Sequence, residues 1–137
     1  MIELVAASFI IAIALAPALQ MMRDSLKLSQ ELEVADMMST LCVNKLEESL
    51  AKVYATWDTT STSGDFSAQG YPQLKFQVTK SDQYASGGIP GQLMATTATV
   101  WNDANGNNAW DTNEQQVQFA SKLSYTVSYK VYESQNQ

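Results

Sequence analysis

The sequence predicts an α+β protein: one long amino-terminal helix, about residues 1–56, with a three- to four-stranded antiparallel sheet packed on its carboxy-terminal half. Three observations predict it. No glycine or proline interrupts residues 22–57, and apolar residues there recur at steps of three or four, the period of a helix. After Asp58 the pattern changes to alternation at period two, broken by loops that carry glycine and proline. A sheet of that kind has one apolar face to cover, and the stripe on the helix is the large apolar surface that can cover it.

The helix opens on residues 1–22, an apolar run with one acid, Glu3, and one proline, Pro17. About 20 apolar residues in a helix span roughly 30 Å, the thickness of a bilayer core. A secretory signal peptide carries basic residues ahead of a shorter apolar core and a small-residue cleavage site behind it. Here the first basic residue is Arg23, and the helical pattern runs on past it. The segment is therefore expected to be retained, with the helix interrupted or bent near Pro17. A carboxylate near the end of such a helix is costly in lipid unless it reaches the headgroups or meets a positive group. The amino terminus of a neighbouring copy is such a group, largely protonated at neutral pH with a pKa near ~7.7–8.

From Arg23 the helix becomes amphipathic. Leu28, Leu32, Ala35, Met38, Cys42, Leu46, Leu50, Val53 and Trp57 form the stripe, while most charged residues fall off it. At 1.5 Å per residue the whole helix would be on the order of 80 Å long. Cys42 on the stripe reads as a small buried hydrophobe. Glu47 and Glu48 point about 100° apart and read as a solvated face, not an acid–base pair.

Residues 58–65, rich in Thr and Ser, read as a polar loop. Tyr71-Pro72 then opens a strand in which Leu74, Phe76 and Val78 alternate with polar residues. Residues 81–92 form a second loop, with Gly87, Gly88, Pro90 and Gly91. Leu93–Trp101 is a strand with Met94, Thr96, Ala98 and Val100 on one face. Residues 115–120, with Val117 and Phe119, and residues 122–133, with Leu123, Tyr125, Val127, Tyr129 and Val131, complete the sheet. The chain thus divides into an apolar segment, 1–22, and a head, 23–137, made of the amphipathic half-helix 23–57 and a sheet over 71–133.

Between two strands, residues 103–114 fit a twelve-residue calcium loop. Asp103, Asn105, Asn107 and Asp111 place oxygen-bearing side chains at positions one, three, five and nine, and Glu114 closes the loop at twelve. Ala109, at seven, would offer its carbonyl. Calcium is a hard cation that takes 6–8 oxygens at ~2.3–2.6 Å, and a tightly wound loop turns alternate residues inward. Asn108 stands at position six, where a left-handed turn is needed and Asn tolerates it better than most residues. Trp110, at eight, would peg the loop to the body. The stretch resembles calcium loops of the EF-hand and dockerin type, set between strands. The simpler reading is an Asn/Asp/Gly-rich turn that caps its own backbone. Three carboxylates suit a weak, structural Ca2+ site.

Composition closes off other classes. A net charge of −6 and a pI near 4.4 argue against a nucleic-acid partner, which would meet a basic face. Histidine is absent, so a Ser/His/Asp triad is impossible and the commonest general base is missing. One cysteine allows no intrachain disulfide and no Cys/His zinc site. No Gly-rich phosphate loop follows a strand. No catalytic residues are assigned, and an enzyme is not expected.

Met1-Ile2-Glu3-Leu4-Val5-Ala6-Ala7 resembles the amino-terminal signature of type IV pilins and type II secretion pseudopilins. In that family a prepilin peptidase cuts before a residue that is usually Phe, the new amine is methylated, and a glutamate stands at the fifth mature position. The resemblance gives Glu3 the role of neutralising the amine of the adjacent subunit during assembly. Glu3 is third here, so two residues are expected ahead of Met1, behind a short basic leader ending in Gly. Pro17 resembles the helix-breaking proline of many pilins, at a shorter offset. Residues 40–48, Thr40-Leu41-Cys42-Val43-Asn44-Lys45-Leu46-Glu47-Glu48, resemble a stretch of the I-type minor pseudopilins and related pilus subunits. The resemblance implies a pilin-like fold, a precursor in the inner membrane, and a helical homo-oligomeric filament outside it, extracellular or periplasmic. Other pilins or pseudopilins and the prepilin peptidase are the implied partners. Two alternatives stay open: a single-pass, membrane-anchored extracellular calcium-binding module, and a low-copy minor or initiating pseudopilin.

Overall fold

The computed structural model describes residues 2–125. Helix α1 runs Ile2–Thr56, followed by strands β1 (Thr62–Phe66), β2 (Tyr71–Ser81), β3 (Leu93–Asn102) and β4 (Gln116–Ser124). The strands form one antiparallel sheet in the order β1-β2-β3-β4, so each strand pairs with its neighbour in sequence. The chain falls into two compact units that divide within α1, one ending at Met37 and one beginning at Met38.

The first unit is helix alone. Its large apolar side chains, from Ile2 to Leu32, are exposed within the chain. Of the interruption or bend expected near Pro17, the interruption is not found, because α1 is continuous through that residue. Proline removes one backbone donor, and in a helix of 55 residues the flanking turns keep their own bonds.

In the second unit α1 packs on the sheet. Met38, Cys42, Leu46, Ser49 and Val53 are its buried residues, spaced three and four apart as one face of a helix requires. They meet Leu74 and Val78 of β2 and Met94, Ala98 and Val100 of β3 in one core, with Phe66 at the end of β1. Cys42 marks the contact: its thiol donates to the carbonyl oxygen of Ala98 at 3.2 Å, and burial pushes its pKa up. Leu28 and Leu32, expected on the same stripe, are exposed, since they lie in the first unit. The helix ends where Trp57 takes a left-handed backbone, φ 49°, while its N–H still bonds the carbonyl of Val53. That conformation costs a non-glycine residue roughly 1–2 kcal/mol. The Trp57 ring packs edge-on against Tyr125, centroids 5.3 Å apart, which offsets part of the cost.

Two sheet expectations need correction. Residues 58–65 are not wholly loop, because β1 occupies Thr62–Phe66 and moves the start of the sheet ahead of residue 71. Its inward places before the register shift at Asp65/Phe66 are Thr62 and Gly64, the latter beside Phe76, where a Cβ would lie 3.0 Å from the ring, so only the final Phe66 is apolar and no alternation can be read. The break placed near residue 121 is also absent: β4 is continuous from Gln116 to Ser124, paired throughout with β3. The proposed strand residues beyond Tyr125 lie outside the described residues.

The loop between β2 and β3 turns on Gly88. Its N–H bonds the carbonyl of Gln83, and a Cβ would stand 2.6 Å from Cα and carbonyl carbon of Asp82. Those are backbone atoms and cannot swing aside. Gly88→Ala is expected to lower the melting temperature of the full chain in detergent by about 5 °C, read by circular dichroism.

Candidate ion-binding loop and apolar helix segment

The loop that links β3 to β4 is fixed at its base. Asn102 N–H bonds the carbonyl of Gln115, and Asp103 N–H bonds that of Gln73 on β2. Asp103 is only 5 % exposed, and its carboxylate winds the loop. Oδ1 accepts from the N–H groups of Gly106 and Asn107 at 2.9 and 3.1 Å, and Oδ2 accepts from Asn108 at 2.9 Å. Asn108 sits at φ 59°, the left-handed conformation that position six of such a loop requires. Glu114 closes the loop from the far end: Oε1 accepts from Ala104 N–H at 2.9 Å and Oε2 from Asp111 N–H at 3.2 Å.

The positions read as ligands separate into two groups. Asn105, Asn107 and Asp111 converge, since both amide nitrogens donate to Asp111 Oδ2, at 2.6 and 2.9 Å. Two partial positive groups therefore stand against one carboxylate oxygen, where a cation would neutralise it. Turning either amide over exchanges its N for O, at the cost of the Asx bonds to Asn107 N–H and Ala109 N–H. Asp103 and Glu114 instead hold backbone amides, and Ala109 is at the exposed tip. Among the described residues no group of three or more Asp, Glu, Cys or His side chains is drawn together as a metal cluster. Trp110, read as the peg that holds the loop to the body, is half-exposed, at 46 %, and borders a cavity with Thr99 and Trp101 on the sheet.

Charge elsewhere on the second unit is organised around lysines. Lys80 points inward, its side chain 2 % exposed, and its Nζ lies 2.7 Å from Asp58 Oδ2. The Lys80 hydrogen bond, with help from Thr60, holds the Asp58 carboxyl well below the usual aspartate range. Glu48 takes Lys52 at 2.7 Å and Lys45 at 2.9 Å, and these two hydrogen bonds hold its pKa down to about 2. Lys45 also lies over the Phe76 ring, 4.7 Å from its centroid. The Lys80 pair was available to sequence reasoning: Leu74, Phe76, Val78 and Lys80 share one parity along β2, so a strand that buries the first also turns the last inward.

In the first unit, Glu3 lies in the first turn of α1 and is exposed. Pro17 lies in an exposed part of the same helix. Among the described residues α1 is the one helix long and apolar enough to cross a membrane, and none of its apolar window is buried within the chain. No family model, curated protein or solved structure matches the chain.

Proposed function

We propose that this chain is the structural subunit of a type IV pilus-like or type II secretion pseudopilus filament. The observation that carries the reading is the apolar segment of α1, whose large side chains are all exposed while the second unit closes a core of its own. Such a segment demands an apolar environment. Lipid supplies it before assembly and the helices of neighbouring copies supply it afterwards. Glu3, exposed in the first turn, would be neutralised by the amine of an adjacent copy. The α+β layout supports the same reading. The precursor would sit in the inner membrane, with prepilin peptidase and other pilins or pseudopilins as partners and the filament extracellular or periplasmic. The subunit would be non-catalytic.

A structural Ca2+ in the 103–114 loop belongs to the proposal. Asp111, with the amide oxygens of Asn105 and Asn107 turned inward, would be its first ligands, and Asp103, Glu114 and the Ala109 carbonyl would complete the set. The ion would replace the amide–carboxylate bonds that now join Asn105 and Asn107 to Asp111.

Electron microscopy of material sheared from cells, with mass spectrometry of the amino terminus, tests the filament. The expected result is thin filaments that contain this chain with a methylated first residue, lost in Glu3→Ala. Recovery of the chain only from detergent-extracted membrane, as an unprocessed monomer, would leave the anchored calcium-binding module in its place.

A further inference from the structure

The second unit carries a cavity of about 450 Å³ on the face of the sheet turned away from α1. This volume is within the usual range of small-molecule sites, roughly 300–1,000 Å³. Its floor is a cross-strand row. Ser63 of β1 pairs with Gln77 of β2, which pairs with Thr99 of β3, and Gln116 of β4 lies two residues along the register, opposite Trp101. Two indoles stand beside it, Trp101 from the sheet and Trp110 from the loop, where Asn108 and Ala109 also line the cavity. Among the described residues no ionisable side chain lines it, in a chain of net charge −6.

Trp101 is the telling residue. It is 7 % exposed, and its Nε1–H is buried with no hydrogen-bond partner among the described residues. A buried indole donor without an acceptor is costly, and the residue that carries it also lines the cavity. Neighbouring strands lie about 4.8 Å apart, so the row presents neutral hydroxyl and amide groups at a spacing comparable with the distance across a sugar ring. Indole faces offer the apolar C–H side of such a ring a surface to stack on. The absence of cations disfavours phosphate and carboxylate ligands, and the polar row disfavours a purely apolar one.

We infer that the Ser63–Gln77–Thr99 row, with Trp101 and Trp110, binds a neutral saccharide. The inference does not depend on the filament reading.

The test uses the full chain in a detergent without a sugar head group, screened on an immobilised glycan panel. Titration of the free sugars selected there follows, with saturation-transfer NMR. The expected result is binding of at least one uncharged glycan, weakened about tenfold by Trp110→Ala and weakened also by Gln77→Ala. Both side chains are exposed, so the thermal melt of each variant should match that of the parent. Three results would overturn the inference: no glycan retained, retention of acidic glycans only, or binding that neither substitution changes. Binding of a Pro-rich peptide in the cavity, with no sugar able to displace it, would overturn it as well.

Discussion

Asp58→Ala is expected to lower the melting temperature of the full chain by on the order of 15 °C. The reason lies with its partner. The Lys80 side chain is 2 % exposed and its ammonium has Asp58 at 2.7 Å. Removing the carboxylate leaves a cation in the core without a counter-charge, and the chain must then hold it unpaired, deprotonate it or open. Lys80→Met in the same chain should restore most of the loss, because a buried pair can be exchanged for an apolar side chain of similar shape at little cost. A double variant as unstable as Asp58→Ala alone would show that Asp58 acts through Thr60, whose N–H it accepts at 2.8 Å, and not through Lys80. The pH dependence follows from the same contact. The folded chain lowers the pKa of Asp58 below its ordinary value near 3.8, so the unfolded chain takes up the proton first as the medium is acidified. The contribution of the pair is complete above the ordinary aspartate range and is lost as the pH falls below it. Parent and Asp58→Ala melts should therefore converge in strong acid.

Asp103→Ala is the second large effect, expected to cost about 3 kcal/mol. Three backbone N–H groups lose their acceptor at once, those of Gly106, Asn107 and Asn108. The φ of 59° at Asn108 then has nothing to hold it. Hydrogen exchange at these three amides should rise in the variant while the amides of residues 38–53 in α1 stay protected. The same variant separates the two roles of the loop. If Ca2+ binds there, it should raise the melting temperature of the parent, by about 2.7 kcal/mol of stabilisation at a hundredfold excess over Kd, and leave Asp103→Ala unmoved. Equal protease resistance of the parent loop with and without chelator would remove the ion and leave a self-capped turn.

The long helix was legible because nothing in residues 22–57 can stop one, and β3 was legible because Met94, Thr96, Ala98 and Val100 are all buried on one face, as the alternation predicts. The edges were harder. β1 is polar up to its last residue, Phe66, and Gly64 takes an inward place that an apolar residue would mark. The reach of the helix stripe was overdrawn. Leu28 and Leu32 repeat the period of Met38 and Cys42, but period alone does not say where the sheet begins to cover it. In the loop, the left-handed turn at Asn108 could be read from residue type. The pairing of Asn105 and Asn107 with Asp111 could not, because an amide presents a donor or an acceptor according to a rotation the sequence does not encode.

The bond between Cys42 and the carbonyl of Ala98 spans 56 positions of the chain. A ribosome adding roughly 5–20 residues per second needs about 3–11 s to cover that distance. Helix and hairpin elements form in microseconds, so during those seconds the inward side of α1 exists without its lid. The nascent chain consequently offers two greasy surfaces in succession, first the amino-terminal run and then the Met38–Val53 face, and the second is covered by strands made later. The second is covered only once β3 has been made.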